Sequence, residues 1–109
     1  MDITRLVTEC GFTLICNPDS EREVCGVYIG DLLSWVMGRA KADNAWITIM
    51  SNMNVIAVAS LSDVSCVIFA EGVMPDEAVI ETAKAKGINL ISSSFSIYET
   101  AIKLSGVLK

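Results

Sequence analysis

Residues 64–94, VSCVIFAEGVMPDEAVIETAKAKGINLISSS, decide the fold of this chain. They open with an apolar run at 64–70, which is typical of a strand buried on both faces of a parallel sheet. A helix is predicted next, with Pro75 in its first turn and Gly87 as its stop. Residues 88–91 then form a second strand. A strand–helix–strand unit of this length predicts a right-handed βαβ crossover, and therefore an α/β fold.

The rest of the chain alternates in the same way. Hydrophobic patterning predicts helices over the first ten residues, over two turns from residue 31, at 55–61 and from 96 to about 104, and strands at 12–16, 24–29 and 45–50. The β-branched content of 55–61 favours a strand, but its position between two parallel strands favours the crossover helix. Polar residues 17–23 are predicted to form the most mobile surface loop. Together these elements predict one mostly parallel sheet with helices packed on it.

Composition places the chain among ordered, globular proteins. The chain has 109 residues, and we expect a single domain over 1–109. Hydrophobic residues make up 52% and charged residues 19%, a balance that excludes disorder and predicts that another subunit covers part of the apolar surface. We therefore expect a homodimer.

Charge and hydropathy exclude two classes of partner. The net charge is −5 and the eight basic residues are scattered, which argues against nucleic acid. The apolar runs are short, and the N-terminal residues do not resemble a signal peptide, so we expect no membrane partner. A soluble, cytoplasmic protein is the expected result.

The cysteines are Cys10, Cys16, Cys25 and Cys66. They form no Cys-x-x-Cys pair, and the chain has no histidine to complete a zinc site. We favour reduced, structural thiols and expect no metal and no cofactor. The grouping of the first three leaves a thiol sensor or a cluster-ligand role open, and a disulfide is a third alternative.

Candidate ligand-binding residues follow the predicted strands. Ligands of open α/β sheets bind outside the carboxyl ends of the strands, where helix N-termini favour anions. The residues expected at this edge are Gly30, Asp31, Ser51, Asn52, Glu71, Gly72, Ser92, Ser93 and Ser94. They could bind a nucleotide or a phosphorylated small molecule. The alternative is that they only cap helices and make turns.

Catalysis has few candidates in this sequence. Without histidine the commonest general base is absent and a Ser-His-Asp triad is impossible. Neither a phosphate-binding P-loop nor a Gly-x-Gly-x-x-Gly turn occurs. We therefore expect no enzyme, and the remaining alternative is a cryptic one that uses Asp31, Glu71 and Ser93.

Trp35 is the candidate interface residue. It lies on a helix whose apolar residues Leu32, Leu33 and Met37 are more than one narrow face needs. The side chain is therefore either part of the core or an anchor of a subunit contact.

Several segments resemble small stand-alone proteins of the DRTGG domain family. The resemblance is strongest over 24–109, and it is carried by VYIGDLLSWVMG (27–38), AWITI (45–49), VIAVA (55–59), FAEGVMPDE (69–77) and GINLISSS (87–94), the last followed by Tyr98 and Glu99. Two positions depart from the family pattern. Leu32 stands where an arginine is expected, and Glu71-Gly72 replaces a paired-glycine loop. The missing arginine weakens any transfer of anion binding from the family.

The resemblance implies the fold of the N-terminal domain of HPr kinase/phosphorylase. Related domains are accessory regions of phosphotransacetylases and of CBS-containing pyrophosphatases, so it also implies dimerisation and a regulatory role, with the chemistry elsewhere. The expected function is a non-catalytic module that senses a small anionic ligand or docks on a partner enzyme. Family members also lie beside electron-transfer proteins, which implies an alternative role as an accessory protein of an electron-transfer or hydrogenase system.

Overall fold

A computed structural model describes residues 1–108 of the chain. Helices and strands alternate along this part of the chain. In order they are α1 (Ile3–Cys10), β1 (Thr13–Cys16), β2 (Val27–Ile29), α2 (Leu33–Arg39), β3 (Ala45–Thr48), α3 (Met53–Ser62), β4 (Cys66–Phe69), α4 (Glu77–Lys86), β5 (Leu90–Ser92) and α5 (Ile97–Val107). The predicted order of elements and the α/β class are confirmed.

The five strands form one sheet in the order β1-β5-β4-β3-β2. β2, β3, β4 and β5 are parallel to their neighbours, and β1 pairs antiparallel with β5 at one edge. β2 forms the other edge. The prediction of a mostly parallel sheet is therefore confirmed, with β1 as its exception.

Side-chain caps set where four helices begin. Asp2, Asn52, Asp76 and Ser96 each accept a backbone N–H of the first turn. The prediction for Pro75 was wrong by two positions. Because Asp76 is the N-cap and accepts from Val79 N at 3.0 Å, helical backbone begins at Glu77, after the proline.

Residues 55–61 are helical, as preferred over the strand. They lie within α3, where Val55, Ile56, Val58 and Ala59 are buried. A helix buried over so much of its circumference fits a crossover between two packed layers. Tertiary packing therefore overrides the strand preference of its β-branched residues.

Some strand boundaries differ from the prediction. The second strand begins at Val27 and not at 24, because Gly26 has a φ of 82° and Val24 N donates to Met1 O outside the sheet. The third strand stops at Thr48, two residues early, and the last begins at Leu90. The N–H of Ile49, just after the third strand, donates to Asp31, and that of Ile88, just before the last strand, donates to Ala83 O of α4.

The core has two layers, one on each face of the sheet. Trp46, Val67, Phe69 and Leu90 pack with α2, α3 and α4. Alternate residues of the same strands, such as Ile47 and Ile68, pack on the other face with α1 and α5. One face therefore carries three helices and the other only two.

The predicted loop at 17–23 lies on the surface, but Arg22 connects it by ion pairs to the loops that contain Asp43 and Asp63. Its guanidinium lies 2.8 Å from Asp43 Oδ1 and 3.0 Å from Asp63 Oδ1. Asn89 joins the same loop by accepting from Asp19 N and donating to Asp19 O. These bonds hold together segments that are far apart in the chain.

Among residues 1–108, no helix combines the length and the apolar character needed to cross a bilayer.

Candidate functional site

The loops that follow the four parallel strands lie together at the carboxyl ends of these strands, which form the carboxyl edge of the sheet. This edge is distinct from the lateral edge strands β1 and β2. Hydrogen bonds connect the predicted residues in two groups. Asp31 links the loop after β2 to the end of β3. Glu71 and Gly72 link the loop after β4 to the loop after β5.

Asp31 is the centre of the first group. Its Oδ1 accepts from Thr48 Oγ1 at 2.7 Å and from Ile49 N at 2.9 Å. The buried hydroxyl of Thr48 also accepts from Met50 N at 3.2 Å. The carboxylate therefore fixes the backbone where β3 ends. The sequence did not identify Thr48 as a residue of this group, because a threonine at the end of an apolar strand is not a distinctive signal.

A close contact with the Tyr28 ring favours a glycine at position 30, next to Asp31. The Gly30 carbonyl accepts from Trp46 Nε1 at 2.9 Å. A Cβ at this position would lie 3.1 Å from the Tyr28 ring, so a larger residue would push against the ring. This glycine therefore has a packing role in addition to its place at the predicted edge.

Glu71 is the centre of the second group. It has a φ of 61°, and Gly72 follows with a φ of 72°. The Glu71 carboxylate accepts from Ile97 N at 3.0 Å, at the N-terminus of α5, where the helix dipole favours a negative charge. Its backbone N–H donates to Phe95 O, and Gly72 N donates to Ser93 O. The chain thus places its own carboxylate at a position that suits an anion.

The serines are not equivalent. Ser93 is buried, and its hydroxyl shares a 2.8 Å hydrogen bond with Thr100 Oγ1 and accepts from Phe95 N. Ser92 belongs to β5, whereas Ser94 is exposed. Ser93 is therefore a structural member of this edge.

The loop after β3 is on the surface. Asn52 is exposed and caps α3 by accepting from Asn54 N at 3.0 Å, and Ser51 next to it is partly buried. The capping alternative accounts for Asn52.

The two carboxylates of the cryptic-enzyme alternative belong to different groups. Asp31 is bound to residues of β3 and its exit, and Glu71 is bound to α5. The hydrogen bonds of the described residues do not connect the two carboxylates.

Burial governs the chemistry of the thiols. All four cysteines are free; Cys10, Cys16 and Cys66 are buried and Cys25 is exposed. Burial raises the pKa of the Cys66 thiol from 9.0 to about 12. Burial also raises the pKa of Cys10 and of Cys16. A protonated, buried thiol packs as a small hydrophobic group, which supports the structural interpretation for these three. Residues 1–108 contain no cluster of three side chains suited to hold a metal.

Trp35 lies on the surface, with 52% of its area exposed. The Arg39 guanidinium lies 3.7 Å from the centre of its ring, a cation–π contact that fixes the indole. The core alternative for Trp35 is therefore wrong. Whether the residue anchors an interface stays a prediction.

A cleft of about 730 Å³ lies away from the predicted edge. It is formed by Val27 and Ile29 of β2 on one side and by Ala101, Val107 and Leu108 of α5 and its end on the other. It opens on the face of the sheet that carries only two helices. The sequence signal for this cleft was the pair of apolar residues two apart in β2.

Comparisons with known proteins agree with this architecture. The model of the DRTGG domain family matches residues 5–107. Among solved structures, the chain is similar to the CBS and DRTGG domains of the regulatory region of Clostridium perfringens pyrophosphatase, solved with the activator diadenosine tetraphosphate. The TM-score is 0.78 at 15% identity, over 94% of this chain and 45% of that chain. The present chain thus spans about half of that structure, and at this identity the likeness shows the fold. No curated protein matches.

Proposed function

The chain belongs to the DRTGG domain family, and we propose that it is a non-catalytic regulatory module that acts as a homodimer and responds to a small anionic ligand. We further propose that residues 1–109 form one such domain. Its ligand would bind at the carboxyl edge of the sheet, near Asp31 and Glu71.

The observation that carries this proposal is that the carboxylates of Asp31 and Glu71 each accept a hydrogen bond from a backbone N–H group. Asp31 accepts from Ile49 N, and Glu71 accepts from Ile97 N at the start of a helix. Backbone N–H groups that bind a carboxylate are also suited to a phosphate oxygen. Because both acids are engaged in structural hydrogen bonds, they are poor candidates for general acid–base chemistry, and good candidates for groups that an anionic ligand displaces.

The similar structure supports the regulatory part. It is a regulatory region, and it was solved with a nucleotide activator. The present chain corresponds to less than half of it, so the ligand of the complex gives a class of probe and not a binding mode. That class is an anionic nucleotide.

Two narrower alternatives differ in their support. Docking on a partner enzyme is favoured by the exposed apolar residues of and beside α2, namely Leu32, Trp35 and Met37. The accessory role in an electron-transfer or hydrogenase system was implied by the resemblance to the family, with the cysteines as its candidate functional residues. Three of the four are buried thiols with raised pKa values, so these three give that role no support.

A thermal-shift titration tests the proposal. The probes are diadenosine tetraphosphate, mononucleotides, nucleotide second messengers and phosphorylated metabolites. A probe at 100 times its dissociation constant stabilises the fold by about 2.7 kcal/mol, which raises the Tm of a small domain by several degrees. We expect Asp31→Asn or Glu71→Gln to change the dissociation constant, whereas Glu81→Gln, on the exposed side of α4, leaves it unchanged. If no probe shifts the Tm, the ligand-sensing part of the proposal is wrong.

A further inference from the structure

β2 is the lateral strand of the sheet, paired with β3 on one side and with no strand of the described residues on the other. The carbonyl of Gly26 accepts from Ala45 N at 3.0 Å, and Gly30 N donates to Ile47 O at 3.2 Å. Since alternate residues of a strand direct their N–H and C=O groups to the same side, Tyr28 also faces β3, whereas Val27 and Ile29 direct both groups away from the sheet. Among residues 1–108 no strand lies on that side.

The same two residues expose their side chains. Val27 is 37% and Ile29 47% exposed, and both line the cleft on the face with two helices. An edge strand with free backbone groups and apolar side chains is a template for pairing with another strand. Proteins usually protect such edges with lysine, proline or a bulge, but residues 24–30 contain neither lysine nor proline, and the irregular pairing of this sheet lies in β1.

The sequence of the edge is self-complementary. Residues 26–30 read Gly-Val-Tyr-Ile-Gly, which is close to a palindrome about Tyr28. When two such strands run antiparallel about a two-fold axis at Tyr28, Val27 lies opposite Ile29 of the second copy, and each glycine lies opposite a glycine. No charged residue lies between 24 and 30, so no like charges meet across the axis.

We propose that a second copy of this chain pairs with β2 in this antiparallel register, which joins the two sheets into one. The proposal rests on the homodimer proposed above and specifies its interface. Val27 and Ile29 direct their backbone groups outward, so each Val27–Ile29 pair forms two hydrogen bonds, and the dimer gains four. The apolar side chains of these residues then form cross-strand pairs on the cleft face.

The helix after β2 extends the interface. Leu33 and Val36 of α2 pack in the same core as Tyr28, so pairing brings α2 of both copies to one face of the joined sheet. Val27 and Ile29 are exposed on the cleft face of this edge, whereas Leu32, Trp35 and Met37 are exposed on or beside α2, which packs on the opposite face. Together these side chains expose roughly 300 Å² of apolar surface, if an aliphatic side chain contributes about 100 Å² when fully exposed. A standard interface buries about 800 Å² per partner, a little over half of it apolar, so with the strand backbone these side chains suit a modest dimer.

Analytical ultracentrifugation of three variants provides the first test. Ile29→Pro removes an outward N–H without removing a bond to β3, and Tyr28 before it is in a strand, as a residue before proline prefers. Ile29→Thr keeps that N–H, and Leu61→Thr removes an apolar side chain that is 73% exposed elsewhere. We expect the dimer dissociation constant to rise by about ten- to a hundredfold for Ile29→Pro, less for Ile29→Thr, and not for Leu61→Thr.

A distance measurement requires no substitution. A spin label on the exposed Cys25 reports the separation of the two copies by pulsed electron resonance. In the proposed register the two Cys25 Cα atoms lie within roughly 25 Å of each other, because at most six residues at about 3.3 Å each separate them along the strands and the turn at Gly26 shortens this span. A dimer with a distance above about 40 Å, or one that Ile29→Pro leaves intact, overturns the β2 interface but keeps the homodimer. A monomer at all concentrations overturns both.

Discussion

The carboxylate of Glu71 accepts the backbone N–H of Ile97 at 3.0 Å, while Glu71 itself has a φ of 61°. The residue thus combines an unfavourable backbone conformation with a favourable hydrogen bond to the first turn of α5, a second cap beside the N-cap Ser96. Glycine adopts positive φ at no steric cost, but it has no side chain to cap α5. The two effects can be separated by substitution.

We expect Glu71→Ala to destabilise the fold by about 1 kcal/mol, because it loses the cap and keeps the positive φ. Glu71→Gly should differ little from the parent, because the gain of about 1 kcal/mol from relieving the left-handed backbone offsets the lost cap. Urea unfolding of both variants measures the difference. Equal losses for alanine and glycine would show that the backbone at residue 71 is not strained.

Arg22 is expected to matter more than the other ion pairs. Its guanidinium donates to Asp43, to Asp63 and to the Asp63 carbonyl, and it is mostly buried. The bond to Asp43 is partly buried and those to Asp63 are exposed. A partly buried hydrogen bond of a charged group contributes about 1.5–3 kcal/mol and exposed ones little, so Arg22→Gln should cost about 2 kcal/mol. The difference in the free energy of unfolding between the parent and Arg22→Gln should be smaller at high salt, because salt screens the ion pairs that Arg22 forms in the parent.

Arg5→Gln is the matched control for Arg22. Arg5 pairs with Glu9 on the exposed surface of α1. Exposed pairs of this spacing contribute about 0.3–0.5 kcal/mol. If Arg22→Gln lowers the free energy of unfolding as little as Arg5→Gln does, the contacts of Arg22 with Asp43 and Asp63 do not stabilise the packing of the three loops.

Stability should fall in alkaline solution because of Cys66. Burial raises the pKa of its thiol from 9.0 to about 12 in the folded state. Between these values the unfolded chain releases a proton that the folded chain retains, so the unfolded state is favoured as pH rises. The stabilisation is fully present below about pH 9, and it is lost at up to about 1.4 kcal/mol per pH unit above it.

The Cys66 contribution is isolated by comparing slopes. The free energy of unfolding is measured between pH 8 and 10.5 for the parent and for Cys66→Ala. We expect a shallower alkaline decline in the variant, since other titrating groups are common to both. Parallel declines would show that Cys66 ionises equally in both states.

Thiol reactivity should separate Cys25 from the others. Cys25 is exposed, whereas Cys10, Cys16 and Cys66 are buried with raised pKa values. A chromogenic disulfide reagent at pH 8 should modify one thiol per chain rapidly and three only on unfolding. Cys25→Ser should abolish the rapid phase. A rapid phase of two or more thiols would contradict the described burial.

The sequence predicted the fold best where local pattern and tertiary environment agree. The apolar run at 64–70 contains β4, and the helix stop at Gly87 is confirmed. Pro75 was misplaced because the competing cap, Asp76, acts through a side-chain bond that propensity alone does not rank. The antiparallel pairing of β1 with β5 could not be predicted, since it joins opposite ends of the chain without a local signal.

The candidate site was predictable only as a set of positions. Strand ends identified Asp31 and Glu71 as residues of one edge, because parallel strands place their exit loops together. Their partners depend on tertiary neighbours: Asp31 reaches Thr48 because β2 and β3 pair in register, and Glu71 reaches Ile97 because α5 begins beside the loop after β4. Side-chain partners across strands leave no periodic trace in the sequence.

The order of strands also constrains how the chain folds during synthesis. β1 and β2 are consecutive in the chain but form opposite edges, and β1 pairs with β5 while α1 packs on α5. The N-terminal elements of this domain therefore complete their packing only when its C-terminal elements are present. We infer that the central strands β3 and β4 assemble first, and that the N-terminal helix and strand join only after release of the C-terminal helix, in a late step that completes the sheet.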